Sequence, residues 1–142
     1  MHGRTKARET VLQALYQMDL ADGSERECLE EVCRSRKLAP DTKEYCETLF
    51  YGVTGHLDEI DRLIEGCSEN WTVDRMGIID RNILRMAVFE LLYRAEVPYK
   101  VVIDEAVELA KKFGTGESSA FINGILDRVA KDSAVRERAS VR

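Results

Sequence analysis

Three cations open the chain at short spacing. Arg4, Lys6 and Arg8 occur with no acid among residues 1–8. On a helix, Arg4, Arg8, Leu12 and Tyr16 fall in one i,i+4 row, with Lys6, Gln13 and Gln17 further round. Guanidinium groups hold phosphates through charge-assisted hydrogen bonds, and a phenol ring stacks on or hydrogen-bonds to an unpaired base, so the row suits RNA. The same pattern also describes a solvated helix face with a snorkelling arginine and a half-buried tyrosine. A second group lies late in the chain, where Phe113 and Phe121 flank the Gly114-Thr115-Gly116 turn. Two aromatics at one corner beside a glycine turn serve either as core or as a platform on which single-stranded bases stack.

Catalytic chemistry is missing from the sequence. There is no phosphate loop, nucleotide-binding glycine fingerprint or H-E-x-x-H pair. The Gly114-Thr115-Gly116 turn follows a helix rather than a strand and is too short to cradle a phosphate. Asp58, Glu59 and Asp61 neighbour His56, but a lone histidine beside acids on a surface helix is ordinarily solvated. No nucleophile is paired with a base at a defensible spacing. An enzyme is not expected, nor a cofactor or metal. Cys28, Cys33, Cys46 and Cys67 form no C-x-x-C pair, which fits reduced, partly buried thiols rather than disulfides or zinc.

The elements that must position these residues read as helices throughout. With 142 residues, 44% hydrophobic and 33% charged, the composition is that of one soluble, charge-rich globular domain. No apolar run approaches the roughly 18 residues that span a bilayer. The N-terminus lacks the apolar region of a signal peptide, so a cytoplasmic location is expected. The net charge of −5 argues against nonspecific nucleic-acid binding. Its distribution is uneven, however, since residues 128–142 hold five basic and two acidic side chains, leaving an acidic middle between two positive ends.

Helix by helix, a first segment from about Thr5 to Leu20 points Ala7, Val11, Ala14, Leu15 and Met18 inward. A turn at residues 22–24 follows, with Ser24 capping a second helix to about Arg36. Pro40-Asp41 opens a third region, with Asp41 or Thr42 as cap. Apolar residues recur from Tyr45 to Ile64, and Gly52 and Gly55 mark a close approach or bend. Gly66 ends that run, Trp71 is expected to plug the join between two halves of the molecule, and Thr72–Asp80 is irregular or a single turn. Ile79–Arg94 is apolar nearly all round and belongs at the centre of a bundle, with Glu90 expected to meet a basic group or a cap. Pro98 suits a first helical turn, and Val102, Ala106, Leu109 and Phe113 share one face. Ser118 or Ser119 is expected to cap a last helix whose face is Ile122, Ile125, Leu126 and Val129. Asn123 and Gly124 interrupt it, glycine there costing about 1 kcal/mol against alanine.

Three stretches together carry a family resemblance. VPYKVVIDEAVELAKKFG followed by FINGILD, the opening ARETVLQALYQMDL, and IDRNILRMAVFELLYRAEVP resemble, in order, the late signature, first helix and central helix of the NusB family of bacterial transcription antitermination factors. They cover about half the chain and are specific jointly rather than singly.

The resemblance implies an all-α fold of about six to seven helices in two small bundles sharing a central apolar helix. It implies one domain over residues 1–132, divided near residue 70, with 133–142 a flexible basic tail. It implies a non-catalytic protein that pairs with NusE, the tenth protein of the small ribosomal subunit. The pair would bind boxA RNA in nascent ribosomal transcripts and help RNA polymerase in the elongation complex resist termination. The RNA surface implied is Arg4, Lys6, Arg8, Gln13 and Tyr16 with Phe113, Glu117 and Phe121. The protein partner would sit near Asp74, Asp80, Arg81 and Glu90, acids suiting a basic ribosomal protein. Thr5 and Ala120 stand where relatives commonly carry a basic residue, which implies weaker phosphate binding. Two other readings exist: a homodimer with its basic helix hidden, and kinship to the helical domains that precede some ribosomal RNA methyltransferases. No cofactor-binding module follows here, so methyl transfer is not expected.

Overall fold

The structure, a computed structural model, describes residues 2–21, 23–69, 71–132 and 135. Those residues form seven α-helices and one 3-10 turn: α1 His2–Leu20, α2 Glu25–Arg36, α3 Pro40–Gly55, α4 Leu57–Cys67, the turn Val73–Arg75, α5 Ile78–Tyr93, α6 Tyr99–Phe113 and α7 Ser118–Lys131. The expected tail at 133–142 lies outside the described residues apart from Val135, and Asp22 of the expected turn also lies outside them. No helix among the described residues is long and apolar enough to cross a membrane.

The chain divides into two compact units, Met1–Gly55 and His56–Arg142. In the first, α1 packs on α2 and α3. Ala7, Val11, Ala14 and Leu15 are buried as the periodicity predicts, and α3 contributes Tyr45, Leu49, Phe50 and Val53. Cys46, also sealed, lies with its Sγ 3.8 Å from the Ala7 carbonyl oxygen. The α2 start is held as expected, the Ser24 hydroxyl accepting from the Glu27 N–H at 3.1 Å. At α3 the helix begins at Pro40 itself, one to two residues before the expected caps, since proline's fixed φ and missing donor suit the first helical position.

The apolar run from Tyr45 to Ile64 is two helices rather than one bent helix, broken at His56 between Gly55 and Leu57. In the second unit α5 packs against α4, α6 and α7, and α6 against α7. Residues 82–92 of α5 are buried without exception, as a helix apolar on every side requires. A bidentate ion pair crosses from α5 to α4: Arg85 Nε and Nη2 each lie 2.9 Å from an Asp61 carboxylate oxygen, and Nη1 donates to Asn82 Oδ1 at 3.2 Å. This fork satisfies a guanidinium that the apolar surroundings would otherwise penalise.

Two expectations about joints are corrected. Trp71 does not plug the interior, being 50% exposed; Val73 and Met76 fill it in that segment, and the Val73 N–H donates to Glu65 Oε2 at 2.8 Å. Ser118 is the first residue of α7 rather than its cap, and its buried hydroxyl turns back to accept from the Thr115 N–H at 2.9 Å. That tight return brings the Gly114 backbone against Ser118 and the Ala110 carbonyl oxygen.

Candidate nucleic-acid interface

In the N-terminal unit the first turns of α1 carry the predicted cations in three different environments. Lys6 is exposed, its backbone carbonyl accepting from the Thr10 hydroxyl at 2.8 Å. Arg4 is half-buried, with its guanidinium carbon 4.3 Å from the Tyr45 ring centroid. That cation–π contact orients the side chain.

Arg8 departs from the expectation of a wet flank, being only 5% exposed. Leu12, one turn on, is buried too, so the row of Arg4, Arg8, Leu12 and Tyr16 turns inward at its middle. The reason is geometric. Residues 7, 8, 11, 12, 14 and 15 form a buried face about two rows wide, and Arg8 lies in the row beside the expected stripe.

Tyr16, 37% exposed, remains available at the row's end. Gln13 is held in place from α2: its Oε1 accepts from Arg36 Nη2 at 2.8 Å and Nε at 3.2 Å. The sequence reading missed Arg36, which brings a further cation to Gln13. No local pattern pairs residues 23 positions apart, so only the packing of α1 on α2 reveals it.

In the second unit, α6 ends on Lys111, Lys112 and Phe113. The Phe113 ring is 41% exposed, with Lys112 Nζ 5.3 Å from its centroid. Phe121 lies on α7 beyond the glycine turn and lines a cavity of about 220 Å³ with Trp71, Arg75, Met76, Gly77, Asp80, Thr115, Glu117 and Ser118. The two phenylalanine rings do not pair with each other among the described residues. They make an exposed ring and a cavity-lining one, rather than a single platform. The cavity does bring together Glu117 and Phe121 from the implied RNA surface and Asp80 from the implied protein surface.

Of the remaining partner residues, Asp74 is exposed and Arg81 half-buried. Glu90 is 2% exposed and belongs to the α5 interior; a partner protein cannot reach it from outside, which corrects its place in the implied partner surface. The signal was present in the sequence, because Glu90 lies within the apolar run of α5.

The thiols carry no sign of reactivity. All four are free, and burial pushes each upward, Cys46 to about 12, which suppresses the nucleophilic thiolate. No group of three or more His, Cys, Asp or Glu side chains among the described residues is arranged to hold a metal ion.

With this geometry in view, the comparisons with known proteins are specific. The NusB family model matches residues 5–131. The chain is 52% identical to the transcription antitermination protein NusB of Myxococcus xanthus over 92% of its own length and 96% of that protein's. It is 47% identical to the protein of that name in Geobacter sulfurreducens, over 92% and 95%. Among solved structures, T. maritima NusB superposes with a TM-score of 0.88 at 38% identity, covering 96% of both chains. A crystal structure of antitermination factors NusB and NusE in complex with double-stranded RNA superposes at 0.84 and 32% identity, covering 92% of this chain and 98% of that one. The all-α architecture, the helix order and near-complete coverage in both directions agree: this chain belongs to the NusB family.

Proposed function

We propose that this protein is a non-catalytic RNA-binding factor of transcription antitermination, acting in the cytoplasm with a NusE-type ribosomal protein on boxA RNA of nascent ribosomal transcripts. The observation that carries the reading is near-full-length similarity to proteins named for antitermination, including a structure holding NusB, NusE and RNA together. The residues agree with it. Lys6, Arg4, Tyr16 and Gln13 with Arg36 offer cations, an amide and an accessible ring from α1 and α2, while Phe113 beside Lys112 and the Phe121–Glu117 corner offer rings from α6 and α7. These are the ingredients of single-strand recognition, in which phosphate contacts position and stacked rings hold bases. Arg8, buried in the first unit, supports the α1 face from within rather than meeting phosphate directly.

Asp74 and Asp80 with Arg81 form the proposed contact for the partner. The exposed Asp74 and the half-buried Asp80 carboxylates attract a basic protein and speed encounter more than they add affinity. Through that pair the factor joins the elongation complex and helps polymerase pass terminators.

The test is co-purification of the full chain with the small-subunit ribosomal protein, followed by gel shift on a boxA-like RNA and on a scrambled control. A ternary complex selective for the boxA-like strand is expected. Absence of any RNA shift with both proteins present, or a stable homodimer that excludes the partner, refutes the reading.

A further inference from the structure

We propose that the end of α2 and the start of α3 form a second phosphate-binding arm, in which Lys37 and Lys43 carry an RNA strand onward from the cations of α1. The inference rests on the RNA-binding reading and adds to it a contact outside α1. Residues 34–43, RSRKLAPDTK, hold four basic side chains and one acidic. The first turns of α2, ERECLEE, hold four acidic and one basic, and that one, Arg26, is paired with Glu30 at 3.1 Å. Charge is therefore segregated along α2, with its positive end toward the turn. Packing sets that end beside α1. Arg36 Nη2 donates to Gln13 Oε1 at 2.8 Å, a Cβ on Gly3 would stand 2.9 Å from Thr42 Oγ1, and the Arg4 guanidinium lies over the Tyr45 ring. Burial raises the Cys33 thiol, and against it act the Cys46 hydrogen bond and the charges of Lys43 and Arg36, so both cations converge on one spot between α2 and α3.

Exposure and backbone conformation single out the lysines. Lys37 and Lys43 are exposed, and among the described residues neither is in an ion pair. Lys37 also stands in the left-handed region, φ 51° and ψ 59°, as the C-cap of α2. Glycine or asparagine ordinarily fills that conformation, because a larger side chain there carries a steric cost. Lysine where glycine would be more stable points to a use for the charge. The helix dipole does not supply one, since Arg34 and Arg36 already occupy the last turn. A strand of RNA does. Exposed ammonium groups meet phosphates as point charges without demanding a fixed geometry, and the start of α1 lies against the same turn. Asp41 is the acid within residues 34–43, and its Oδ1 accepts from the Thr42 N–H at 3.0 Å, which turns it to the backbone of α3. Glu44 and Glu47 lie further along α3 and bound the cationic strip there.

The test takes the full chain paired with the small-subunit ribosomal protein. End-labelled boxA-like RNA is titrated with the pair by fluorescence polarisation at several salt concentrations. Amine acetylation of the pair is mapped by mass spectrometry with and without that strand. RNA is expected to protect Lys37 and Lys43 from acetylation. Each neutralised phosphate adds about 0.7 to the logarithmic salt slope, which at about 0.15 M salt is about fourfold in affinity. Lys37→Gln combined with Lys43→Gln should therefore weaken RNA about fifteenfold and flatten the slope by about 1.4. Lys37→Gly should raise the melting temperature while weakening RNA about fourfold, and Lys37→Arg should keep the parent's affinity. Lysines acetylated equally with and without RNA, or a double variant with the parent's affinity and slope, overturn the arm and leave the RNA-binding reading standing. Weaker binding at an unchanged slope means that the lysines act through the fold, and overturns the arm as well. No binding by the parent pair at any salt overturns both.

Discussion

Lys6 and Arg8 stand two positions apart on α1, about 200° round the helix, and meet opposite environments: one is exposed and the other sealed. A charge pattern read along the sequence treats them alike, whereas burial separates them. Lys6→Ala is expected to leave stability within about 0.5 kcal/mol and to lower RNA affinity with a salt slope smaller by about 0.7. Arg8→Ala should instead cost about 1–3 kcal/mol in urea unfolding, because it strips a buried charge from the groups that satisfy it. An Arg8 variant of undiminished stability but impaired RNA binding would mean that the side chain reaches out to the ligand. The glycines divide in the same way. A Cβ at Gly114 would stand 2.5 Å from Ser118 Oγ and 2.8 Å from the Ala110 backbone oxygen, and backbone cannot yield, so Gly114→Ala is expected to destabilise by about 1–3 kcal/mol. Nothing lies within 4 Å of a Cβ built at Gly124. Gly124→Ala in mid-helix should therefore raise stability by about 0.5–1 kcal/mol, as equilibrium denaturation will show.

At the scale of elements, legibility followed how many neighbours a residue type must satisfy. The α5 span was readable because an unbroken apolar run permits no wet face, and the observed boundaries fall within one residue of the expected ones. The break at His56 was legible only as a close approach or bend at Gly52 and Gly55, because Leu57, Ile60 and Ile64 continue a helical spacing that α3 had set, and no proline marks the interruption. Trp71 misled for a related reason: a large aromatic is ordinarily interior, but here Val73 and Met76 take that volume. Leu84, fully buried at the middle of α5, tests the central role of that helix. Leu84→Ala is expected to lose about 2–5 kcal/mol, read from the urea midpoint, while a loss under 1 kcal/mol would show that α5 is not the core of its unit. In the other unit Cys46 carries a pH signature. Its thiol is raised to about 12 chiefly by burial, then by Cys33, so the folded chain keeps a proton that the unfolded chain releases near the ordinary value of 9.0. Stability from this site is intact below about pH 9 and falls as pH climbs towards 12, since unfolding then releases protons. Cys46→Ala should flatten that alkaline decline relative to the parent in pH-dependent thermal melts.

For the whole molecule, the acidic body sets how RNA is held. With a net charge of −5, the field opposes a polyanion at long range, and local cations such as those on α1, α2 and the end of α6 counter it. Thr5 adds no charge to α1 and Ala120 none to α7, and the Arg8 side chain is buried. Few phosphates can then be neutralised, and each neutralised phosphate contributes about 0.7 to the logarithmic salt slope on single strands. The lone protein is accordingly expected to bind boxA-like RNA weakly, with a shallow salt dependence. A basic partner at Asp74 and Asp80 both cancels part of the acidic field and brings phosphate contacts of its own, so the pair should bind more tightly and with a steeper slope. Polarisation titrations at several salt concentrations, with and without the partner, separate these contributions. Equal slopes at unequal affinity would assign the partner's effect to uncharged contacts such as stacking rather than to charge. Tight, steeply salt-dependent binding by the lone chain would show that this surface needs no second protein.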